Sequence, residues 1–197
     1  FSNLNHCFFS KNGGYSSGIY SSLNCGYGSK DSRRNIEKNL DYVANIMNVK
    51  KNNIILMNQT HSNKVIIIDN NNLLNKKINS DALITKLKGI SLGVLTADCV
   101  PVILYDEFTN NIGCIHAGWR GVFNGIIENT LNKLKENKSQ NKITASVGPC
   151  IGKENYEVGE EFLYRFMTQD KSNQVFFTKK NDKKYLFDIR SYVVNKL

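Results

Sequence analysis

Cys99 and His116 are the two residues of this sequence best placed to do chemistry together. Cys99 follows an acidic neighbour, Asp98, and His116 precedes a tight Gly-Trp-Arg-Gly turn. Two apolar runs, 100–105 and 112–116, lie between them around the polar stretch 106–111, a pattern that reads as a β-hairpin. Antiparallel pairing would bring Cys99, just before the first strand, beside His116 at the end of the second. A thiol beside an imidazole serves as a pair of metal ligands, as a nucleophile with its base, or as plain packing.

As metal ligands, the pair needs a third donor. His6 and His61 are the other histidines. His61 is the better placed, in a turn between the expected strands 54–57 and 64–69, where ligands project into a cleft. Cys-His-His with an open fourth position is the donor set of a catalytic zinc site, which lowers the pKa of bound water to about 7. The long, unequal spacings are unlike those of a structural zinc finger. As a nucleophile, Cys99 would be activated by His116, with Asp98 or Asp81 orienting the imidazole, giving a metal-free cysteine hydrolase or amidase. As packing, Cys99 and Cys114 would be small buried apolar groups, and Cys7, Cys25 and Cys150 are read the same way.

The elements that must position these groups follow from periodicity. Residues 6–10 read as a first strand. The Ser/Gly/Tyr-rich loop 15–29 contains SLNCGYGS, whose glycines permit close backbone approach to a ligand. Ile36, Leu40, Val43 and Met47 place a helix over 33–48. Residues 70–79 form a polar loop, and 81–85 and 89–95 read as strands. After Gly121 the pattern becomes helical, with Phe123, Ile126, Ile127, Thr130, Leu131 and Leu134 on one face and an end near Asn137. The turn 117–121 thus delivers a strand into a helix N-terminus beside Arg120. That is either an anion site or a place where Arg120 pairs with a carboxylate. Residues 142–147 form a strand, 158–168 a short helix, 174–178 and 184–187 a strand pair, and Asp188 caps a last helix over 189–197. Strands outnumber helices and several are joined by hairpins, so the fold class is α/β (α+β), a mixed sheet flanked by helices. With no linker or repeat, 1–197 reads as one domain.

Composition narrows the function classes. The chain has 197 residues, 41% hydrophobic and 22% charged, a soluble globular balance. No run approaches the roughly 20 apolar residues that span a bilayer, and residues 1–10 do not look like a signal peptide. The first residue is not Met, so the chain is expected to start late. Five widely spaced cysteines without CxxC point to a reducing compartment rather than a disulfide scaffold. The net charge of +9 comes from scattered Lys among many Asn, with no basic stripe interleaved with aromatics, so nucleic acid is not expected as a partner.

Several blocks carry a resemblance. TADCVPVILYD, CIHAGWRGVFNGIIENTL and VGPCIGKENYEVGEEF, with SKNGGYSSGIYSSLNCGYGS, NQTHSNKV and SDALIT, resemble the YfiH family over nearly the whole chain. That family was long labelled multicopper polyphenol oxidase (laccase) and is now regarded as purine nucleoside phosphorylases. The resemblance implies an α/β fold with a mixed sheet, a cytoplasmic bacterial enzyme, and zinc held by His61, Cys99 and His116. It implies phosphorolysis of adenosine, inosine, guanosine or methylthioadenosine to base and ribose 1-phosphate, with adenosine deamination as a side activity. Within it, Asp98 is the candidate proton shuttle, Arg120 the candidate phosphate cradle, and Asn24 and Gln59 candidate substrate contacts. Copper is the older expectation, and one Cys with two His is too few for several copper centres. An inactive nucleoside- or partner-binding module is the third reading. The chain departs from the family pattern at Asn39-Leu40, where an Asn-Arg pair is usual, so that arginine's role is lost or passes to Arg33 or Arg34. It also ends before a segment with a Cys-Thr pair and an aromatic-Ser-aromatic-Arg-Arg run, which it is expected to lack.

Overall fold

The hairpin predicted around Cys99 and His116 is the centre of the main sheet. In a computed structural model, which describes residues 4–69, 78–135 and 142–197, β5 (Val100–Asp106) pairs antiparallel with β6 (Asn111–Ala117) along its whole length. The sheet has five strands in the order β2-β3-β6-β5-β7, with β2 (Val65–Ile68) parallel to β3 (Ala82–Thr85) and the other pairs antiparallel. It is therefore mixed, as expected. β3 is buried at every position, which suits its unbroken Ala-Leu-Ile-Thr run. β7 (Ile143–Val147) forms one edge. Two smaller sheets complete the strands. β1 (Ile54–Leu56) lies parallel to β4 (Ser91–Gly93). β8 (Glu157–Gly159), β10 (Lys184–Phe187) and β9 (Phe177–Lys179) form an antiparallel set.

The two faces of the main sheet bury different partners. Ala82, Val102, Ile115 and Ala117 join a large core with Ile126, Ile127 and Phe166 from the helical side. Leu83 and Cys114 point the other way, to a smaller core with Ile55, Met57 and Ile68. The period-2 alternation of β3 and β6 fixes which side chains go where. An aromatic cluster ties the C-terminal elements to the large core. In it Phe166 lies 5.1 Å from Phe187 and 5.2 Å from Tyr192.

Several expectations change. Residues 6–10 form no strand; they run as extended loop, with Phe8 packed so tightly on Gly148 and Pro101 that a Cβ on Gly148 would sit 2.3 Å from the Phe8 ring. The helix expected after Gly121 begins earlier and is broken. α2 (Trp119–Phe123) is followed by Asn124 and by Gly125 at φ +84°, and α3 (Ile126–Lys135) then carries the apolar stripe. A left-handed residue cannot continue a helix, which explains the break. The stretch 174–178 is mostly a 3-10 turn (Lys171–Phe176), leaving β9 shorter and later. β8 precedes α4 (Glu160–Gln169) where helix alone was expected. α1 (Arg33–Ile46) and α5 (Ile189–Lys196) lie where periodicity put them, and Asp188 caps α5 by accepting the Ser191 N–H at 2.9 Å. The polar loop 70–79 and the helix end near Asn137 fall largely outside the described residues. Among the described residues no helix is long and apolar enough to cross a membrane.

Candidate metal centre

Three separate chain segments deliver His61, Cys99 and His116 to one point. His116 ends β6, Cys99 stands just before β5, and the register Val100↔Ala117 brings them together across the hairpin. His61 arrives from the turn between β1 and β2. The ligand atoms of the three all lie within 4.8 Å of one another, with Cys99 Sγ 3.9 Å from His61 Nε2. The two imidazoles meet edge to face at 4.8 Å.

A fourth residue holds this arrangement. Asp81, fully buried just before β3, accepts N–H bonds from Thr60 (3.2 Å), His61 (2.9 Å) and Ser62 (2.7 Å), and hydroxyl bonds from Ser62 (2.7 Å) and Thr60 (3.1 Å). Its Oδ1 also lies 2.8 Å from His116 Nδ1, and its backbone carbonyl accepts the His116 N–H at 2.8 Å. Burial pushes the Asp81 carboxyl up, but the hydrogen bonds from His116, Ser62 and Thr60 outweigh it and hold it at about 2. An ionised Asp81 makes Nδ1 of His116 the donor and leaves Nε2 with a free lone pair, the form that binds metal. Burial lowers the pKa of His116, and Asp81 only partly offsets this, which favours the neutral imidazole. The same carboxylate fixes His61, whose φ of +57° is unusual for a residue with a side chain.

The donor set fits a metal ion. Two imidazole nitrogens and a thiolate converge, and the wall facing them is a glycine. A Cβ on Gly118 would lie 2.8 Å from His61 Cδ2 and 3.0 Å from Cys99 Sγ, so only glycine leaves the ligands in place. Three convergent donors of these types could hold a metal ion. This is the one such cluster among the described residues. Without metal, burial and then the charges of Asp98 and Asp81 push the Cys99 thiol up, opposite to what a thiolate nucleophile requires.

The other expected site residues are more dispersed. Asp98 is exposed beside Cys99, and its carbonyl accepts the Ile151 N–H at 2.9 Å. Arg120 lies in the first turn of α2 rather than ahead of it. Its guanidinium stacks on Trp119 at 5.2 Å and forms no ion pair among the described residues. Asn24 spends its amide within its own loop, donating to Ser29 (2.9 Å) and Asp31 (3.0 Å) and accepting the Gly26 N–H (3.0 Å). Gln59 pairs with both backbone groups of Leu95, at 2.7 and 2.8 Å, and so ties the His61 turn to the segment leading to Cys99. Leu40, where the resemblance led to arginine, is buried, and Arg33 stacks over Tyr27 at 5.5 Å.

Sequence reasoning weighed Asp81 only as one of two orienting acids and missed Gly118, Asn39 and Tyr156. Asn39 is fully buried and secures the Ser/Gly loop, accepting the Tyr15 N–H (2.7 Å) and donating to Ser16 Oγ and the carbonyls of Ser22 and Asn24. Tyr156 follows a 3-10 turn and feels the charges of Cys99 and Asp98; these add to burial, which pushes its phenol up to about 12. A polar residue in an otherwise apolar stripe was the available signal for Asn39.

The comparisons agree on kinship. The family model described as multi-copper polyphenol oxidoreductase laccase matches residues 5–197. A purine nucleoside phosphorylase of Rickettsia prowazekii is 35% identical over 176 residues, covering 84% of this chain and 72% of that protein. One from Rickettsia conorii is 36% identical over 149 residues, covering 75% of this chain but 61% of its own length. An adenosine deaminase from an unknown prokaryotic organism is 33% identical over 156 residues, covering 75% of this chain and 59% of that protein. The chain thus spans roughly three fifths to three quarters of these relatives. The crystal structure of Bacillus licheniformis YfiH superposes with a TM-score of 0.87 at 24% identity, over 94% of this chain and 73% of that one, which bears on the fold. A Neisseria meningitidis protein gives 0.82 at 27% identity, over 94% and 76%.

Proposed function

The chain belongs to the multi-copper polyphenol oxidoreductase laccase family, the YfiH family, and from that premise we propose that it is a zinc-dependent purine nucleoside phosphorylase. The observation that carries this reading is the His61–Cys99–His116 cluster, buttressed by Asp81 and walled by Gly118. The substrates are a purine nucleoside and inorganic phosphate, the products a free base and ribose 1-phosphate. Nucleic acid and membrane have no part in this reading, and five free cysteines suit a reducing cytoplasm.

In phosphorolysis a phosphate oxygen bonds to the anomeric carbon as the bond to the purine nitrogen breaks, and the departing base takes a proton or hydrogen bonds. Zinc, when bound, supplies a Lewis-acidic positive charge that polarises an oxygen ligand. Asp81 keeps His116 in one tautomer and His61 in its left-handed turn, so the ligands meet the reaction already oriented. In the deamination reading, Asp98, exposed beside Cys99, is the proton shuttle. Arg120, without a carboxylate partner among the described residues, takes phosphate. Asn24 and Gln59 shape the site through the loops they brace.

A second reading, adenosine deamination at the same cluster, is favoured by the deaminase relative. Two further readings are a metal-free cysteine hydrolase using Cys99 and His116, and an inactive nucleoside-binding module. The test is metal analysis of protein purified without chelator, with chromatography of inosine plus phosphate and of adenosine alone. The expected result is about one zinc per chain, loss of metal in Cys99→Ala, and release of hypoxanthine with ribose 1-phosphate. Copper in place of zinc, or full turnover after metal removal, would sink the zinc reading. Zinc without turnover would favour the binding module.

A further inference from the structure

The turn that presents His61 is held at two places. Asp81 takes the N–H groups of residues 60–62. The next residue, Asn63, is tied to the corner between α2 and α3. Its side-chain amide donates to the Asn124 carbonyl at 2.8 Å, and its own backbone carbonyl accepts from the Asn129 side-chain amide at 3.1 Å. Beside these ties the Ser62 carbonyl lies against Gly121, where a Cβ would sit 3.1 Å from the oxygen. The two residues that follow His61 therefore rest on the α2–α3 corner.

Each tie answers a local need. Asn124 closes α2, and the last carbonyls of a helix have no partner within it. Asn63 supplies one. Gly125, at φ +84°, breaks the helix there, and Asn129, in the first turn of α3, reaches back to the Asn63 carbonyl. His61 itself sits at φ +57°, a conformation that a residue with a side chain keeps when its surroundings over-determine it. The bonds to the Asp81 carboxylate stop at Ser62, and the two amide ties carry the restraint on to the next residue. Gly118, which faces the ligands, caps the start of α2, so this one short helix meets the cluster at its start and holds the His61 turn at its end.

We propose that Asn63 and Asn129 are positioning residues for the metal centre, locking the His61 turn to the α2–α3 corner so that order at the corner and metal occupancy of the cluster are coupled. The coupling rests on the metal-binding reading of His61, Cys99 and His116, whatever the substrate. Coupling between two sites is reciprocal. If the ties help the cluster keep its metal, the metal steadies the corner by the same factor. A purely structural role for two surface asparagines predicts no such response. Asn129→Ala sharpens the contrast, because alanine is the better helix former within α3. On helix propensity alone that variant should melt no lower than wild type.

The experiment compares wild type with Asn63→Ala, Asn129→Ala and the conservative Asn129→Gln. Zinc affinity is measured by competition with a chromophoric chelator, and hydrogen exchange over residues 122–130 is followed with and without zinc. In wild type, zinc should slow exchange at the corner, including the Asn129 N–H that donates to the Gly125 carbonyl. Both alanine variants should bind zinc about fivefold more weakly, the effect of one net hydrogen bond. Both should also lose most of the protection that zinc confers on the corner, while melting in chelator shows them folded. Asn129→Gln, which keeps an amide, should restore part of both properties. Unchanged zinc affinity and unchanged zinc-dependent protection in the two alanine variants would overturn the coupling and leave the metal centre standing. Weaker zinc binding with the protection intact would also overturn it, because reciprocity would be broken. A wild type that takes up no zinc would fell the metal centre and the coupling together.

Discussion

Asp81 Oδ1 lies 2.8 Å from the ring Nδ1 of His116 and 2.9 Å from the backbone nitrogen of His61, so one oxygen orients two candidate metal ligands that are far apart in sequence. The two bonds act differently. That to His116 sets a tautomer, and that to His61 holds a backbone turn. Asp81→Asn keeps the shape but removes the charge and one acceptor. Metal affinity should drop by about 10- to 100-fold, the usual cost of losing a carboxylate behind a histidine ligand. Competition with a chromophoric chelator measures it. Cobalt substitution should also shift the visible spectrum of the variant. An unchanged spectrum and affinity with only a lower melting temperature would reduce Asp81 to a structural role.

The same carboxylate sets an acid limit on the metal-free protein. Its folded pKa of about 2 lies below the ordinary aspartate value of about 3.9, so its stabilisation is complete above about pH 4 and is lost as pH falls through 2. The loss should approach about 2 kcal/mol. His116 acts in the same direction at milder pH. Burial lowers its folded pKa, so the unfolded chain takes up the proton first and stability falls as pH drops below about 6.5. Urea unfolding across this range should show both slopes in wild type and lose the lower one in Asp81→Asn. An Asp81→Asn curve parallel to wild type below pH 4 would contradict the assignment.

The hairpin and the convergence of His61, Cys99 and His116 were legible because they rest on local patterns. Alternating apolar runs around 106–111 fixed β5 and β6, and antiparallel pairing then forced Cys99 towards His116. What stayed hidden depends on tertiary geometry. Nothing local says that Asp81, in a strand-like SDALIT run, turns its carboxylate into a nest of N–H groups from 60–62. The α2–α3 break hangs on Gly125 adopting a positive φ inside a stretch whose apolar spacing still reads as helix. Arg120 entered the first turn of α2 because the helix starts at Trp119, one residue after the glycine that faces the ligands. Residues 6–10 have strand-like composition but find no ladder partner, and Phe8 packs against Gly148 instead.

Gly118→Ala should separate metal binding from folding. The backbone there, at φ −77°, accepts alanine without strain, so stability should change by less than about 1 kcal/mol. The new methyl, however, would stand 2.8 Å from the His61 ring and 3.0 Å from the thiol. The imidazole would swing away more readily than the backbone would move. The variant should fold normally, with a wild-type melting temperature in chelator, yet retain little metal. Full metal occupancy in a folded Gly118→Ala protein would show that the cluster tolerates the displacement.

Asn39→Leu tests how far the Ser/Gly loop depends on one buried amide. Leucine fills similar volume but strands the Tyr15 N–H and the Asn24 carbonyl, both formerly bonded to Asn39, while the Ser22 carbonyl keeps the Ser16 N–H. A buried group left without a partner costs about 1–3 kcal/mol. Part of the loop is near the surface and can recover water, so a total of about 3 kcal/mol is expected. The loss should be local as well as global. Residues 14–24 should become sensitive to protease under native conditions, while the distant β5–β6 hairpin keeps its hydrogen-exchange protection. Equal loss of protection in loop and hairpin would mean that Asn39 supports the whole fold rather than this one loop.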